Sequence, residues 1–263
     1  MTHFEAIILG IVQGITEFLP VSSSGHLIIV RSILNLPLEY SLGFDAILQF
    51  ATVLALVIYF WKDLFKIFIT IVRSILGIYT NREDKILAWS VIIGTIPAAI
   101  FGLVVESYMD TIFRDVFLVA VSLIIGSLIM FFAQKLGKQD RPLSLGRGLV
   151  IGLFQSLALI PGISRSGATI SGGLLAGLPR NEAVRYSFVL SIPILLGSGA
   201  KKLLEVDILN TSFGLDLLIG SLTAFFVGLL VIHYFIKYMK NHNLNVFIFY
   251  RIALAIILII ALF

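Results

Sequence analysis

The sequence GIVQGITEFLPVSSSGHLI, residues 10–28, begins as an apolar helix and is then interrupted, which is the main indication of the fold. Pro20 lacks a backbone donor and clashes with the preceding turn, and the serines that follow it favour the start of a new helix. Broken helices at membrane depth are tolerated only where they are buried in protein or face a water-filled cavity. The pattern therefore predicts a re-entrant helical hairpin over about 4–34, and a similar interruption predicts a second one over about 148–178.

The composition places the whole chain in a membrane. Of 263 residues, 59% are hydrophobic and only 13% are charged, whereas soluble domains carry about 25% charged residues. This balance excludes a soluble globular protein, a disordered chain and a nucleic-acid-binding protein. The net charge of +4 suits loops that lie against an anionic leaflet. Because the chain has no cysteine, disulfides and thiolate metal sites are excluded.

Six further apolar stretches have the length of about 20 residues that a membrane-crossing helix needs. These predicted spans are 44–61, 86–105, 116–134, 186–204, 215–236 and 246–263. The fold expected from the sequence is therefore an all-α polytopic membrane protein of six transmembrane helices and two re-entrant helical hairpins.

The charges of the connecting segments predict an orientation. Connections 62–85, 135–147 and 237–243 are rich in Lys and Arg, which places them in the cytoplasm by the positive-inside rule. Connection 106–115 has one Arg against three acidic residues, so we expect it outside. The first hairpin then enters from the external face, the second enters from the cytoplasm, and both termini are external. The apolar segment 64–79 is too short to cross and is expected to lie along the inner interface.

The two interrupted regions also resemble each other. With an offset of 142 positions, residues 10–28 align with GLFQSLALIPGISRSGATI at 152–170, and six of the nineteen pairs are identical. GTIPAAIFGL (94–103) aligns with GSLTAFFVGL (220–229) at an offset of 126. Since the two hairpins enter from opposite faces, we predict a single membrane domain with an inverted-topology repeat, about 4–134 and about 146–263, and a site where the broken helices meet.

The broken segments carry the residues that chemistry would need. Two helix N-termini that converge form an anion site, because their free N–H groups and partial positive charge suit phosphate. Arg165 adds a planar set of donors that matches phosphate oxygens. Glu17 with Gln13, four residues earlier on the same face, offers oxygen ligands for Mg²⁺ or Ca²⁺. Ser23 is a candidate nucleophile for attack on phosphorus, and His26 is positioned to exchange a proton. Direct attack by a water that Glu17 activates is the alternative route.

Each of these residues also has a purely structural interpretation. Glu17 and Arg165 could form a structural ion pair, and His26 could bond a backbone carbonyl in the broken helix. The serines could serve as helix caps. Arg31 is expected to extend its charge to the interface from a hairpin end, and Arg251 to be structural or to line a cavity.

The two interrupted segments are similar to those of a known family. GIVQGITEFLPVSSSGHL (10–27) and PGISRSGAT (161–169) resemble the signature segments of the BacA-type undecaprenyl-diphosphate phosphatases, usually written as an (E/Q)xxxE box with a serine-rich turn and His, and a PGxSRSxxT box. Position 13 is Gln here, where many members have Glu, which removes one charge from the metal site. Both boxes occur in order and at suitable spacing.

The resemblance implies a metal-dependent hydrolase of the plasma membrane, with its active site open to the external face. Such an enzyme converts undecaprenyl diphosphate, or a related polyprenyl diphosphate, to the monophosphate and phosphate, which recycles the lipid carrier of cell-wall synthesis; overproduction gives bacitracin resistance. By position, the resemblance makes Glu17, Ser23, His26 and Arg165 catalytic. It assigns a further set to substrate binding: Ser22, Ser24, Ser164, Ser166 and Thr169.

Two other functions stay open from the residues alone. Inverted repeats with paired hairpins are also a transporter design, so a transporter or flippase of an anionic lipid or phosphate is the main alternative. A structural membrane scaffold is the other. The expected partners are the polyprenyl lipid and the membrane, with no nucleic acid, and a homodimer is left open.

Overall fold

The computed structural model describes residues 1–36, 41–109, 116–205 and 214–262. Within these residues the chain forms eleven α-helices. In chain order they are α1 (His3–Thr16), α2 (Ser23–Ile33), α3 (Ser41–Tyr59), α4 (Trp61–Ile75), α5 (Arg82–Met109), α6 (Val116–Leu136), α7 (Leu145–Leu157), α8 (Arg165–Leu175), α9 (Arg180–Glu205), α10 (Gly214–Met239) and α11 (Asn245–Leu262).

The helices confirm an all-α polytopic membrane protein. Four of them, α5, α6, α9 and α10, are long and apolar enough to cross a membrane, and α3 and α4 form a further apolar pair bent by 76°. The four correspond to predicted spans. Predicted span 246–263 is occupied by α11 as far as Leu262, and residue 263 lies outside the described residues, as does most of connection 106–115, which is expected outside. The count of six spans and two hairpins stays a prediction.

Both predicted hairpins are broken where the sequence analysis places the interruption. In the first, α1 ends at Thr16 and α2 begins at Ser23; in the second, α7 ends at Leu157 and α8 begins at Arg165. The residue that precedes each second helix is a serine with left-handed backbone, Ser22 at φ 77° and Ser164 at φ 72°. Non-glycine residues rarely adopt this conformation, and strain of this kind is concentrated at functional sites.

The helices that lead into the two breaks pack reciprocally on long helices of the other half of the chain. Helix α1 packs on α10, and a Cβ added to Gly10 would lie 2.5 Å from the carbonyl oxygen of Gly220. Helix α7 packs on α5, and a Cβ added to Gly152 would lie 2.2 Å from the carbonyl oxygen of Gly94. Small residues permit such close backbone contact in membranes. The four glycines are the aligned pairs of the predicted repeat, whose boundaries remain a prediction.

Prolines do not end every helix. Pro97 lies inside α5 and Pro193 lies inside α9. Neighbouring helices and local adjustments can satisfy the backbone groups that a proline leaves free in a membrane helix. At the two hairpins the proline is accompanied by left-handed serine backbone and, in the second, by Gly162 at φ 98°. The complete interruption therefore needs more than the proline.

The expectation for Arg31 is wrong. Arg31 is only 4% exposed and forms an ion pair with Asp45 near the start of α3. Its guanidinium also lies over the ring of Phe44, 5.8 Å from the centroid. Because an oppositely charged partner is available inside the protein, the guanidinium is neutralised there and does not extend to the interface.

Candidate active site

The two breaks are joined directly by hydrogen bonds. The hydroxyl of Ser22 in the first break accepts from the backbone N–H of Gly162 in the second, at 3.2 Å. The hydroxyl of Ser164 accepts from the N–H of Gly167, at 3.3 Å, and so caps the start of α8. The N-termini of α2 and α8 are thus held at neighbouring breaks, and helix N-termini favour anions.

Glu17 is the centre of a polar cluster that both hairpins share. Its Oε2 atom accepts from the Ser23 hydroxyl at 2.8 Å and from the Gln13 amide at 3.1 Å. Its Oε1 atom accepts from Nη2 of Arg165 at 3.1 Å. The Glu17 side chain is 4% exposed and that of Arg165 is 10% exposed. The structure therefore brings the predicted carboxylate, hydroxyl and guanidinium together, although Glu17 and Arg165 are 148 residues apart.

Arg165 has more donor capacity than the protein uses. Its Nε and Nη1 atoms are buried and find no hydrogen-bond partner among the described residues. A buried donor without a partner costs about 1–3 kcal/mol, and more when it is charged. Guanidinium donors match the oxygens of phosphate in geometry and in charge. The unsatisfied atoms therefore favour a phosphate-containing ligand at this position, and a purely structural ion pair with Glu17 leaves them unexplained.

His26 bonds to groups other than the Ser23 hydroxyl. Its Nδ1 atom lies 2.7 Å from the Ser22 carbonyl oxygen, and its Nε2 atom lies 2.7 Å from the hydroxyl of Tyr250 on α11. Ser23 donates to Glu17. Glu17 is therefore the group placed to receive a proton from Ser23 in this state, while His26 faces the neighbouring helix start.

The expected substrate-binding residues form two groups: four serines at the two helix starts, and Thr169 within α8. Those of Ser22 and Ser24 are 3.3 Å apart, and those of Ser164 and Ser166 are 3.2 Å apart, so one pair lies at each helix start. The hydroxyl of Thr169 instead donates to the Arg165 carbonyl at 2.8 Å and contacts Ser187 on α9. Thr169 therefore supports the first turn of α8.

Arg251 links the two breaks from a third direction. It is fully buried; Nη1 donates to the Pro20 carbonyl at 3.2 Å and Nη2 to the Gly162 carbonyl at 2.9 Å. Nε donates to Ser127 at 3.1 Å. The isolated Arg in an apolar span was the only sequence signal for this role. Nothing comparable distinguishes Tyr250, whose contact with His26 the sequence analysis did not foresee.

The donor set of the site suits a hard cation. Within the described residues no group of three or more His, Cys, Asp or Glu side chains is arranged to hold a metal ion. Glu17 and Gln13 can supply one carboxylate and one amide oxygen. Mg²⁺ commonly binds to one or two carboxylates together with phosphate oxygens of the substrate. The residues present therefore fit a cation that is bound jointly with a diphosphate.

Comparison with known proteins identifies relatives over nearly the whole chain. The chain is 42% identical to an undecaprenyl-diphosphatase of Thermobifida fusca (strain YX), over 98% of this chain and 90% of that protein. It is 42% identical to an undecaprenyl-diphosphatase of Elusimicrobium minutum (strain Pei191), over 99% and 98%. For the undecaprenyl-diphosphatase of Moorella thermoacetica (strain ATCC 39073 / JCM 9320) the identity is 41%, over 100% and 98%.

The family model described as "Bacitracin resistance protein BacA" matches residues 6–257. This range contains both hairpins, the Glu17–Arg165 pair and Arg251. A match of this extent, together with three full-length relatives at about the same identity, shows that the chain belongs to the BacA family.

Proposed function

We propose that this protein is a membrane hydrolase that converts undecaprenyl diphosphate to undecaprenyl phosphate and inorganic phosphate. Family membership and the activity in the names of the relatives support this function. The structural observation that carries it is Arg165, which pairs with Glu17 through Nη2 and leaves Nε and Nη1 buried without a partner among the described residues. A diphosphate supplies the oxygens that these atoms need, and hydrolysis of the carrier would return it to cell-wall glycan synthesis.

The hydrogen bonds assign diphosphate binding and proton transfer to different groups of the site. Arg165 and the N-termini of α2 and α8 would bind the diphosphate and stabilise the charge that develops on it. In one route, the Ser23 oxygen attacks the terminal phosphorus while Glu17 receives the hydroxyl proton. The bridging P–O bond breaks and undecaprenyl phosphate leaves as its anion. Water then hydrolyses the phosphoserine, with His26 placed to accept the proton of water, and Glu17 returns its proton to the Ser23 oxygen. In the other route, water activated by Glu17 attacks the same phosphorus atom, and no phosphoserine forms.

The proposed activity includes a divalent cation, Mg²⁺ or Ca²⁺. Glu17 and Gln13 would hold it through oxygen, and its ligands would be completed by the substrate. When bound, it supplies positive charge to the diphosphate. Since position 13 is an amide, this site has one charge fewer than a site with two carboxylates, so we expect activity to depend strongly on cation concentration.

The protein is a multi-pass membrane protein, and we place it in the plasma membrane with the active site open to the external face and both termini external. The basis is the excess of Lys and Arg in the connections 62–85, 135–147 and 237–243. The absence of cysteine allows a direct test, because single cysteines can be introduced without background. A thiol reagent that does not cross membranes should label Thr2→Cys in intact cells and should label Lys138→Cys only after lysis. The reverse pattern would contradict this orientation.

Phosphate release by the purified protein in detergent tests the activity. We expect release from undecaprenyl diphosphate, its loss in EDTA, and its recovery with added Mg²⁺ or Ca²⁺. A panel of polyprenyl diphosphates gives the preference for tail length. Arg165→Ala should lower release by at least about 100-fold, whereas Arg73→Ala, at an exposed arginine of α4, should leave it unchanged.

The outcomes distinguish the functions. A transporter or a structural scaffold would release no phosphate, and the names of the relatives above give the transporter alternative no support. If wild-type protein releases phosphate and the Arg165→Ala variant releases it equally well, the proposed activity stands but the proposed site is wrong.

A further inference from the structure

The aromatic ring of Tyr250 on α11 covers His26 on α2. The two rings are stacked, with centroids 5.6 Å apart and planes inclined by 13°. The Tyr250 hydroxyl lies 2.7 Å from Nε2 of His26, although the residues are 224 positions apart in the chain. Tyr250 itself is 46% exposed.

The hydrogen bonds fix the form of the imidazole. Nδ1 lies 2.7 Å from the Ser22 carbonyl oxygen. A carbonyl oxygen can only accept, so Nδ1 must carry the proton. In a neutral imidazole the other nitrogen, Nε2, is then an acceptor. In the neutral ring the Tyr250 hydroxyl is therefore the donor in the second contact, and both contacts favour the Nδ1–H tautomer.

The position of Tyr250 is itself determined by its neighbour in the chain. Arg251 donates to the Pro20 carbonyl in the first break and to the Gly162 carbonyl in the second. Because Arg251 directly follows Tyr250, these bonds also fix the position of Tyr250 relative to the hairpins. Arg251 therefore both links the two breaks and holds the Tyr250 hydroxyl next to His26.

We infer that Tyr250 is a positioning residue for the hydrolysis, acting through His26. Its hydroxyl donates to Nε2 and holds the ring plane, so that Nε2 is the nitrogen able to accept a proton during hydrolysis. This inference rests on the proposed function in so far as it concerns catalysis. The tautomer itself is a property of the protein without substrate.

Nitrogen NMR of the histidine side chains tests the tautomer. The chain has only four histidines, so ¹⁵N-labelled histidine gives few signals, and His26→Gln identifies the one of interest. We expect wild-type His26 to show a protonated Nδ1 and an unprotonated Nε2. In Tyr250→Phe, which keeps the aromatic ring, we expect the Nε2 signal to shift and the two tautomers to mix. Tyr234→Phe, at an exposed tyrosine of α10, is the matched control and should leave the His26 signals unchanged, although the ring of Tyr234 contacts that of His233.

Kinetics with undecaprenyl diphosphate test the consequence. Because a small misplacement of a reacting group can lower rates about 100-fold, we expect Tyr250→Phe to lower kcat by about 10- to 100-fold. KM should stay within about twofold, since the groups that bind the diphosphate are unchanged. The Tyr234→Phe variant should match wild type in both constants.

Three results would overturn the inference. One is a wild-type His26 protonated at Nε2, which is decisive even if a variant folds poorly. Another is a Tyr250→Phe variant whose NMR signals and kcat equal those of Tyr234→Phe. The third is a lower kcat with unchanged His26 signals, which would show that Tyr250 acts elsewhere. Absence of turnover in wild-type protein would contradict the proposed function instead, and the NMR result would still decide the tautomer.

Discussion

Replacing Gly126 with alanine should disturb both breaks at once. Gly126 lies on α6 directly beside Arg251. A Cβ atom there would lie 2.2 Å from Nη2 of Arg251 and 2.8 Å from the carbonyl oxygen of Ile163 in the second break. Both distances are far below normal contact. The carbonyl belongs to the backbone, and the guanidinium is held by several hydrogen bonds, so neither neighbour can move freely.

The expected loss follows from the bonds that Nη2 makes. It donates to the Leu123 carbonyl at 3.2 Å and to the Gly162 carbonyl at 2.9 Å. A hydrogen bond from a charged group contributes about 1.5–3 kcal/mol, so displacement of Nη2 removes about 3–6 kcal/mol. Replacing glycine by alanine inside a helix returns about 0.5–1 kcal/mol. We therefore expect Gly126→Ala to lower the free energy of unfolding by about 2–5 kcal/mol.

Gly197→Ala on α9 is the matched control, because none of the described residues lies within 4 Å of a Cβ built there. Its stability should be equal to or slightly above that of wild type. The assay is unfolding of each purified protein in detergent by titrated denaturant, together with phosphate release at a temperature where both are folded. We expect Gly126→Ala to be less stable and slower, since Arg251 no longer holds Pro20 and Gly162 in place. Equal stability and equal rates for the two variants would show that Gly126 is not needed for the contacts of Arg251.

The remaining predictions concern the centre of the site and are measured by phosphate release from folded, purified protein. Arg165→Ala should lose at least about 100-fold in kcat/KM, because the charge of the diphosphate is no longer neutralised; wild-type turnover would contradict the phosphate-binding role. Ser23→Ala should lose at least about 100-fold in kcat if a phosphoserine forms, and a near-normal rate would exclude that intermediate in favour of direct attack by water. Glu17→Gln keeps the size of the side chain but removes its charge, so kcat should fall by about 10²- to 10⁴-fold; a rate within about threefold of wild type would remove Glu17 from the chemistry.

Part of the site could be predicted from local sequence alone. The interruption at Pro20 and the serines after it predict two helix starts, and an acid and an arginine in apolar surroundings predict partners in the protein interior. The resulting expectation that Glu17 and Arg165 meet is confirmed by their 3.1 Å contact. Helix breaks and buried charges can be predicted from the sequence because their free energy in a membrane depends mostly on the residue itself and its immediate neighbours.

The hydrogen-bond partner of each polar group depends on how the helices pack. Arg31, expected at the interface, is buried against Asp45, and His26 bonds Tyr250 across 224 residues. Pro97 lies within the continuous helix α5, whereas Pro20 lies in the break between α1 and α2. A membrane-embedded helical chain with two interrupted segments, and a candidate set of reactive residues, could be predicted from the amino-acid order alone. The packing of α6 and α11 against the breaks selects the hydrogen bonds of Arg251 and His26. A distance of about 3 Å between residues remote in the chain results from the summed contacts of whole helices, and no local sequence pattern specifies it.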